Sequence, residues 1–217
     1  FGQNNSTPEW HAEFWSDLGN RNITFRYNYF EDIEGTAVFA GVNAGESRNW
    51  YIHGNVFHSC TYLLRFYYEE GNSANKSIAT SFRIYNNTVV GPGEGTIAVD
   101  QGSDILVINN LYYNIREPDA YILFSGLSAT YNQFLECDFR MTTLDVTNKT
   151  SIGDNPFVHY SSAGLHESDL RLSAPSAVEG LDIGERFQYD RLGKRRGLDG
   201  HWDCGAFEYD PNQAVSP

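Results

Sequence analysis

Ile52-His53-Gly54-Asn55-Val56-Phe57 decides the fold, because the chain repeats its pattern four more times. Phe25-Arg26-Tyr27-Asn28-Tyr29-Phe30 and Ile84-Tyr85-Asn86-Asn87-Thr88-Val89 match it, and Asn110 and Asn132 stand in the same setting, at successive spacings of 27, 32, 23 and 22 residues. A recurrence of this length marks a solenoid, in which each repeat buries its apolar face against its neighbours. Other columns hold the register. Five residues before each Asn stand Ile23, Trp50, Phe82, Ile105 and Leu127; three before stand Phe25, Ile52, Ile84, Val107 and Ala129; two after stand Phe30, Phe57, Val89, Tyr112 and Phe134. All are apolar, whereas Thr24, Tyr51, Arg83, Leu106 and Ser128, between the first two columns, are mostly polar. A local period of two is a strand with alternating faces. The Asn is expected to make the bend, taking left-handed backbone geometry, bonding to nearby backbone and stacking on its copies.

A second strand is predicted after each bend, in Thr36-Ala37-Val38-Phe39, Tyr62-Leu63-Leu64-Arg65-Phe66, Thr96-Ile97-Ala98-Val99 and Tyr121-Ile122-Leu123-Phe124. A repeat this short has no room for a βαβ crossover but holds two or three strands. The chain therefore reads as all-β, a parallel β-helix of about five to six coils stacked about 4.8 Å apart. Residues 1–12 are assigned to an N-terminal extension or cap, 13–145 to the coils, and 146–217 to a closing coil and C-terminal cap. Glu13-Phe14-Trp15 reads as the end of an earlier coil. An uncapped first coil would expose strand edges and an apolar cross-section, which Phe1 to Trp10 could partly cover.

Asn-bend coils of this kind resemble the right-handed parallel β-helix superfamily, which includes pectate and chondroitin lyases, glycoside hydrolases, and noncatalytic adhesins and fibres. Asn155-Pro156-Phe157-Val158, Asp169-Leu170-Arg171-Leu172, Ala174-Pro175-Ser176-Ala177 and Asp203-Cys204-Gly205-Ala206-Phe207-Glu208-Tyr209 are similar to the closing segment of many secreted bacterial members. The chain departs from that pattern at Val178-Glu179 and at Cys204. The resemblance implies a right-handed helix and an extracellular or cell-surface location. It implies no activity, because enzymes and non-enzymes share the fold.

Fifteen Lys and Arg against 28 Asp and Glu give a net charge of −13. A field of that sign repels phosphate backbones, which argues against nucleic acid. It also opposes a polyuronate unless an Arg cluster or a bound Ca²⁺ reverses the local sign. A neutral polysaccharide meets no such obstacle. No apolar run is long enough to cross a membrane as a helix. No nucleotide, haem or flavin motif stands out; Ca²⁺ is the one cofactor left open, although no dense Asp cluster marks a site for it within the coils.

The three cysteines give no disulfide framework. Cys60 and Cys137 fall in the column of Ile33, Pro92 and Ile115, pointing inward. At three coil steps, about 14 Å, they are beyond the roughly 7 Å a disulfide allows. Two alternatives remain: a Cys137–Cys204 bridge, or three reduced buried thiols. Of the sequons at Asn4, Asn5, Asn22, Asn75, Asn86 and Asn148, Asn86 sits within the bend pattern and is assigned to backbone geometry.

Chemistry is expected where repeats exceed the minimum length. The surplus falls in 40–48 and 66–79, and the longer insertion reads Phe66-Tyr67-Tyr68-Glu69-Glu70-Gly71. Insertions on one edge of a solenoid build binding faces, and tyrosine rings suit the C–H faces of sugars. Tyr67, Tyr68, Glu69, Glu70, Phe39 and Phe124 are the predicted substrate-binding residues. Glu13, Asp17 and Asp100 are the predicted hydrolase carboxylates, since glycosidases use two carboxyl groups about 5 to 10 Å apart. A lyase would instead need a base and a cation for the uronate, for which Arg65 and His53, with Arg26 and Arg83, are the outward basic groups. Asp182, Asp190, Asp199 and Asp203, interleaved with Arg186, Arg191, Arg195 and Arg196, read as structural ties of a closing loop. The sequence thus predicts a glycoside hydrolase or polysaccharide lyase, or a polysaccharide-binding relative, with its groove beside 66–79. The alternative is a noncatalytic adhesin or fibre subunit that self-associates end to end.

Overall fold

Three parallel sheets are visited in rotation by the first fifteen described strands. The computed structural model describes residues 12–16, 20–33, 35–42, 46–68, 78–91, 96–99, 102–115, 122–123, 127–137, 149–151 and 154–212. The first sheet contains β1 (Ala12–Ser16), β4 (Thr36–Val42), β7 (Tyr62–Tyr68), β10 (Thr96–Val99) and β13 (Ile122–Leu123). The second contains β2 (Thr24–Arg26), β5 (Glu46–His53), β8 (Ile78–Tyr85), β11 (Gly102–Ile108) and β14 (Leu127–Thr130). The third contains β3 (Tyr29–Glu31), β6 (Val56–His58), β9 (Thr88–Val90), β12 (Leu111–Tyr113), β15 (Gln133–Leu135) and β16 (Lys149–Ser151). Every neighbouring pair in these sheets is parallel. The chain is mostly strand, and its stacked parallel strands are compatible with a solenoid.

The three apolar columns form the interior. Trp50, Phe82 and Ile105, then Ile52, Ile84 and Val107, then Phe57, Val89, Tyr112 and Phe134 belong to one buried cluster with Val38, Leu64 and Ile97 of the first sheet. Aromatic neighbours stack along the axis: Phe30 on Phe57 at 4.8 Å, Trp50 on Phe82 at 5.3 Å, and Tyr112 on Phe134 at 4.7 Å between centroids. Cys60 and Ile115 are buried in this core, with Ile33 and Cys137 packed against it, as their shared column predicts.

The predicted Asn column is a continuous hydrogen-bond ladder. Asn55 Oδ1 accepts from Asn28 N and Nδ2, Asn87 Oδ1 from Asn55, Asn110 Oδ1 from Asn87, and Asn132 Oδ1 from Asn110, each pair of bonds lying between 2.9 and 3.1 Å. A second Nδ2 bond ties each later Asn to the preceding coil, from Asn55 to Phe25 O, Asn87 to Ile52 O, Asn110 to Ile84 O and Asn132 to Val107 O.

The structure corrects one part of the bend prediction. The left-handed residue is not the ladder Asn but the one before it: Tyr27, Gly54, Asn86, Asn109 and Tyr131 all have positive φ. Asn86 therefore serves backbone geometry, as its place in the pattern suggests. Gly54 is required for a further reason, since a Cβ there would stand 2.5 Å from Tyr27 Cε1. Two more left-handed columns turn the chain, one at Asp32, Ser59, Gly91, Asn114 and Glu136, the other at Asn22, Asn49, Ser81 and Asp104.

Residues 154–212 form a strap with little regular structure. It holds the antiparallel pairs β17 (Phe157–His159) with β18 (Asp169–Leu172) and β19 (Glu179–Gly180) with β20 (Trp202–Asp203). Phe157, Leu170, Leu172, Val178, Cys204, Ala206 and Phe207 pack on Val56, Val90, Leu111 and Leu135 from the outer face of the third sheet. Phe187 and Trp202 pack on Tyr85 and Ile108 of the second. Contacts reach from Gln133, whose Oε1 accepts from Ala177 N at 3.1 Å, back to Tyr27, whose carbonyl accepts from Arg191 at 3.3 Å. The closing segment thus runs along the stack instead of covering only the last coils.

Candidate functional site

The first sheet brings together part of the predicted groove. Its register aligns Glu13 with Phe39, Phe39 with Arg65, and Arg65 with Ala98. Glu13, Phe39 and Arg65 therefore occupy consecutive positions of one row, with the outer two about 10 Å apart at the strand spacing. Tyr67 aligns with Gly41, and Tyr68 with Val42, at the end of the same strand pair. Ala98 aligns with Leu123, so the row passes through Leu123 and not through the predicted Phe124. Asp17, Glu69, Glu70, Asp100 and Phe124 themselves lie outside the described residues.

His53 is not the outward base that alternation along β5 predicts. It is 4 % exposed, with its ring edge-on to Phe187 at 5.0 Å and to Tyr27 at 5.6 Å. Burial, and then the nearby Arg186, Arg26 and Arg196 charges, push its pKa down to about 4. The second sheet has no free outer face at this point because the strap lies over it. Arg83, another predicted lyase cation, is engaged: its Nη2 lies 2.6 Å from Asp104 Oδ2, and Ser81 Oγ donates to the same oxygen at 2.7 Å. These bonds from Arg83 and Ser81 hold the Asp104 carboxyl below the usual carboxylate range.

The strap holds a buried charge knot. Arg196 is 3 % exposed and Glu208 5 % exposed, with Arg196 Nη1 3.2 Å from Glu208 Oε2. Glu208 also accepts from Gly197 N at 2.7 Å and Asp203 N at 3.2 Å. Burial raises its pKa to about 7 against the opposing pull of Arg196. Asp190 accepts from the backbone of Leu192, Lys194 and Glu208, and Asp203 from Ser176 and Tyr209. These carboxylates accept from backbone N–H groups along the strap and so fix its turns, which makes them structural. This agrees with the sequence reading for Asp190, Asp203 and Arg196. Glu208 was not singled out there, because its signal is tertiary burial.

Beside the knot lies an open cleft of about 450 Å³ lined by Lys194, Asp199, Glu208, Tyr209 and Asp210 among others. Lys194 crosses it to Asp210, 3.6 Å away, and donates to the Tyr209 carbonyl. The cleft thus meets a ligand with an internal ion pair. Gly205 anchors the strap on the third sheet, for a Cβ there would meet Thr88 Oγ1 at 2.7 Å.

All three cysteines are free, which settles the open alternatives against the Cys137–Cys204 bridge. Cys204 instead donates to Tyr131 O at 3.0 Å and Cys137 to Leu135 O at 3.1 Å. Among the described residues no group of three or more His, Cys, Asp or Glu is placed to hold a metal ion. Among them, too, no helix is long and apolar enough to cross a membrane. The chain matches no protein-family model, no curated protein and no solved structure.

Proposed function

We propose that the chain is a right-handed parallel β-helix protein of five to six coils, located outside the cell, that binds and acts on a polysaccharide along its first sheet, beside residues 66–79. The observation that carries this reading is the row Glu13–Phe39–Arg65. The register sets an acidic, an aromatic and a guanidinium-bearing residue type at one-strand steps, types suited to stacking on a sugar ring and to hydrogen bonds with its hydroxyls. The location has independent support. Among the described residues the strap packs on the outer faces of the second and third sheets, which leaves the first sheet as the lateral face for a ligand.

Hydrolysis fits the residues better than elimination. Glu13 with Asp17, Glu69, Glu70 or Asp100 supplies candidate acid and nucleophile carboxylates. The lyase set loses His53 to the interior and Arg83 to its ion pair with Asp104. The test is incubation with neutral and uronate polysaccharides, with and without Ca²⁺, reading both reducing ends and the absorbance of unsaturated uronates. Reducing ends without the absorbance, lost in Glu13→Gln, are expected. Both signals together would replace hydrolysis by elimination. No binding by wild type in affinity electrophoresis, or binding undiminished in Phe39→Ala and Arg65→Ala, would remove the glycan from this face.

A further inference from the structure

Exposed arginines gather on the outer side of the second sheet, in two neighbouring pairs. Arg21 and Arg48 stand directly opposite one another in a parallel bridge, and both are exposed. Like charges so placed repel across a strand spacing of about 4.8 Å. Arg48 has a loose contact with Glu46, 3.7 Å away and itself partly exposed, whereas Arg21 has no ion pair among the described residues. Arg26, exposed at the end of β2, is aligned with His53. Arg186 joins it from the strap: its guanidinium lies 3.8 Å from the centroid of the Tyr51 ring, and its Nη2 is 3.5 Å from Thr24 Oγ1. Thr24 is aligned with Tyr51, so Arg26 and Arg186 border the same strand pair. Both stand close enough to His53 to push its pKa down, behind only burial itself.

The missing counter-charges are not for want of acids. In a chain with 28 Asp and Glu, Arg83, Arg171, Lys194 and Arg196 each have a carboxylate within 4 Å. Arg21, Arg26 and Arg186 have none among the described residues, and Glu185, beside Arg186 in sequence, pairs with none of them. The strap buries His53 and Tyr85 here but leaves these arginines in solvent. Stacking on Tyr51 steadies the planar Arg186 fork, whose edge stays available to an anion. The same contact occupies the Tyr51 ring face, which is then closed to a stacking nucleobase.

We propose that Arg21, Arg26, Arg48 and Arg186 form a binding surface for an acidic polysaccharide, whose carboxylate or sulfate groups take the place of the missing counter-charges. Arg21 and Arg26 are five residues apart, at most about 18 Å along the chain, so the two pairs suit a polymer with anions at intervals better than one small ion. Guanidinium groups hold carboxylates and sulfates through parallel N–H bonds. The net charge of −13 repels a polyanion from afar, but at physiological salt charges beyond about 8 Å are screened while contacts at the surface persist. The inference does not rest on the first-sheet reading, which concerns another face.

Affinity electrophoresis of the full chain at physiological salt, in gels carrying polygalacturonate, dextran sulfate or neutral dextran, tests the surface. Stronger retardation by an acidic polymer than by dextran is expected, the two acidic arms telling carboxylate from sulfate. Arg26→Gln combined with Arg186→Gln should weaken that binding about tenfold or more and leave any retardation by dextran as it was. Arg171→Gln, which removes a charge from the strap over the third sheet, should not weaken it. If circular dichroism shows the glutamine pair unfolded, Arg26→Lys with Arg186→Lys decides, since it keeps the charge, loses the fork and should bind several-fold more weakly. No preference for either acidic polymer overturns the proposal, as does an equal loss in Arg171→Gln or undiminished binding in a folded pair variant. Competition by duplex DNA or phosphatidylserine vesicles as effective as by the acidic polymer overturns it too.

Discussion

Asn87 Oδ1 accepts two hydrogen bonds from Asn55, one from its backbone N and one from its Nδ2, both at 3.0 Å. One side chain thereby satisfies a backbone donor at a bend and fixes the register of two coils. The Asn87 amide in turn donates to Ile52 O and Asn110 Oδ1.

Asn87→Ala removes all of these partners at a buried position. Unsatisfied buried groups cost about 1–3 kcal/mol each, so a loss of about 3 kcal/mol is expected once neighbours relax. Asn28→Ala, at the exposed end of the ladder, should cost about 1 kcal/mol. Urea unfolding of the two variants measures the difference. Equal losses would mean that the ladder contributes no more inside the stack than at its end.

The left-handed column makes a second, opposed pair. Gly54→Ala forces a Cβ into the Tyr27 ring at φ +64 and should destabilise the fold by about 2 kcal/mol or more. Asn86→Gly, at φ 50 one coil on, relieves backbone strain and should cost less than about 1 kcal/mol. Thermal melts of both variants give the comparison.

Two buried groups give opposing pH dependences. The unfolded chain protonates His53 below its usual 6.5 and the folded chain only below about 4, so the unfolded state holds more protons between those values and stability rises with pH there. For Glu208 the folded state keeps its proton up to about 7 against an ordinary 4.5, so stability falls as pH rises through that window. Each effect is worth about 3 kcal/mol across its window and they overlap, so the wild type should vary little between pH 5 and 6. His53→Gln should reveal a falling slope and Glu208→Gln a rising one, in urea melts at pH 5, 6 and 7. Parallel profiles in the two variants would contradict the assignment.

The thiols should divide by burial. Burial pushes the Cys60 thiol up to about 12 and raises Cys204 further still, while Cys137 is half-buried. A thiol-reactive chromophore should label Cys137 first, and the other two only at the rate of unfolding. Reducing agent should leave the melting temperature unchanged.

The strands and the ladder were legible because they are periodic: the columns through Phe25, Ile52 and Ile84 state the inward face directly. The bend was misplaced by one residue because Asn signals a side-chain hydrogen bond as readily as a left-handed φ, and here Tyr27 and Tyr131 carry the φ. Neither tyrosine advertises that role. His53 misled for a different reason. Alternation correctly placed it away from the core, but no repeat foretold that Phe187 would cover it. The register of Glu13, Phe39 and Arg65 was recoverable from strand alternation alone, and the same row continues through Ala98 to Leu123.

A repeat array with only neighbour contacts can mature one coil at a time, from the ribosome outward. The strap denies this chain that schedule. Its bonds between Tyr189 or Arg191 and Tyr27 or Asn28 span 162 to 164 residues, so the first coils receive their cover only once the chain has been made as far as Arg191. At elongation rates of about 5–20 residues per second, that leaves Val56, Tyr85 and Leu111 uncovered for roughly five to thirty seconds. Until then those apolar residues lack the cover the strap gives them, and a message truncated before Phe187 would yield a product that keeps them exposed.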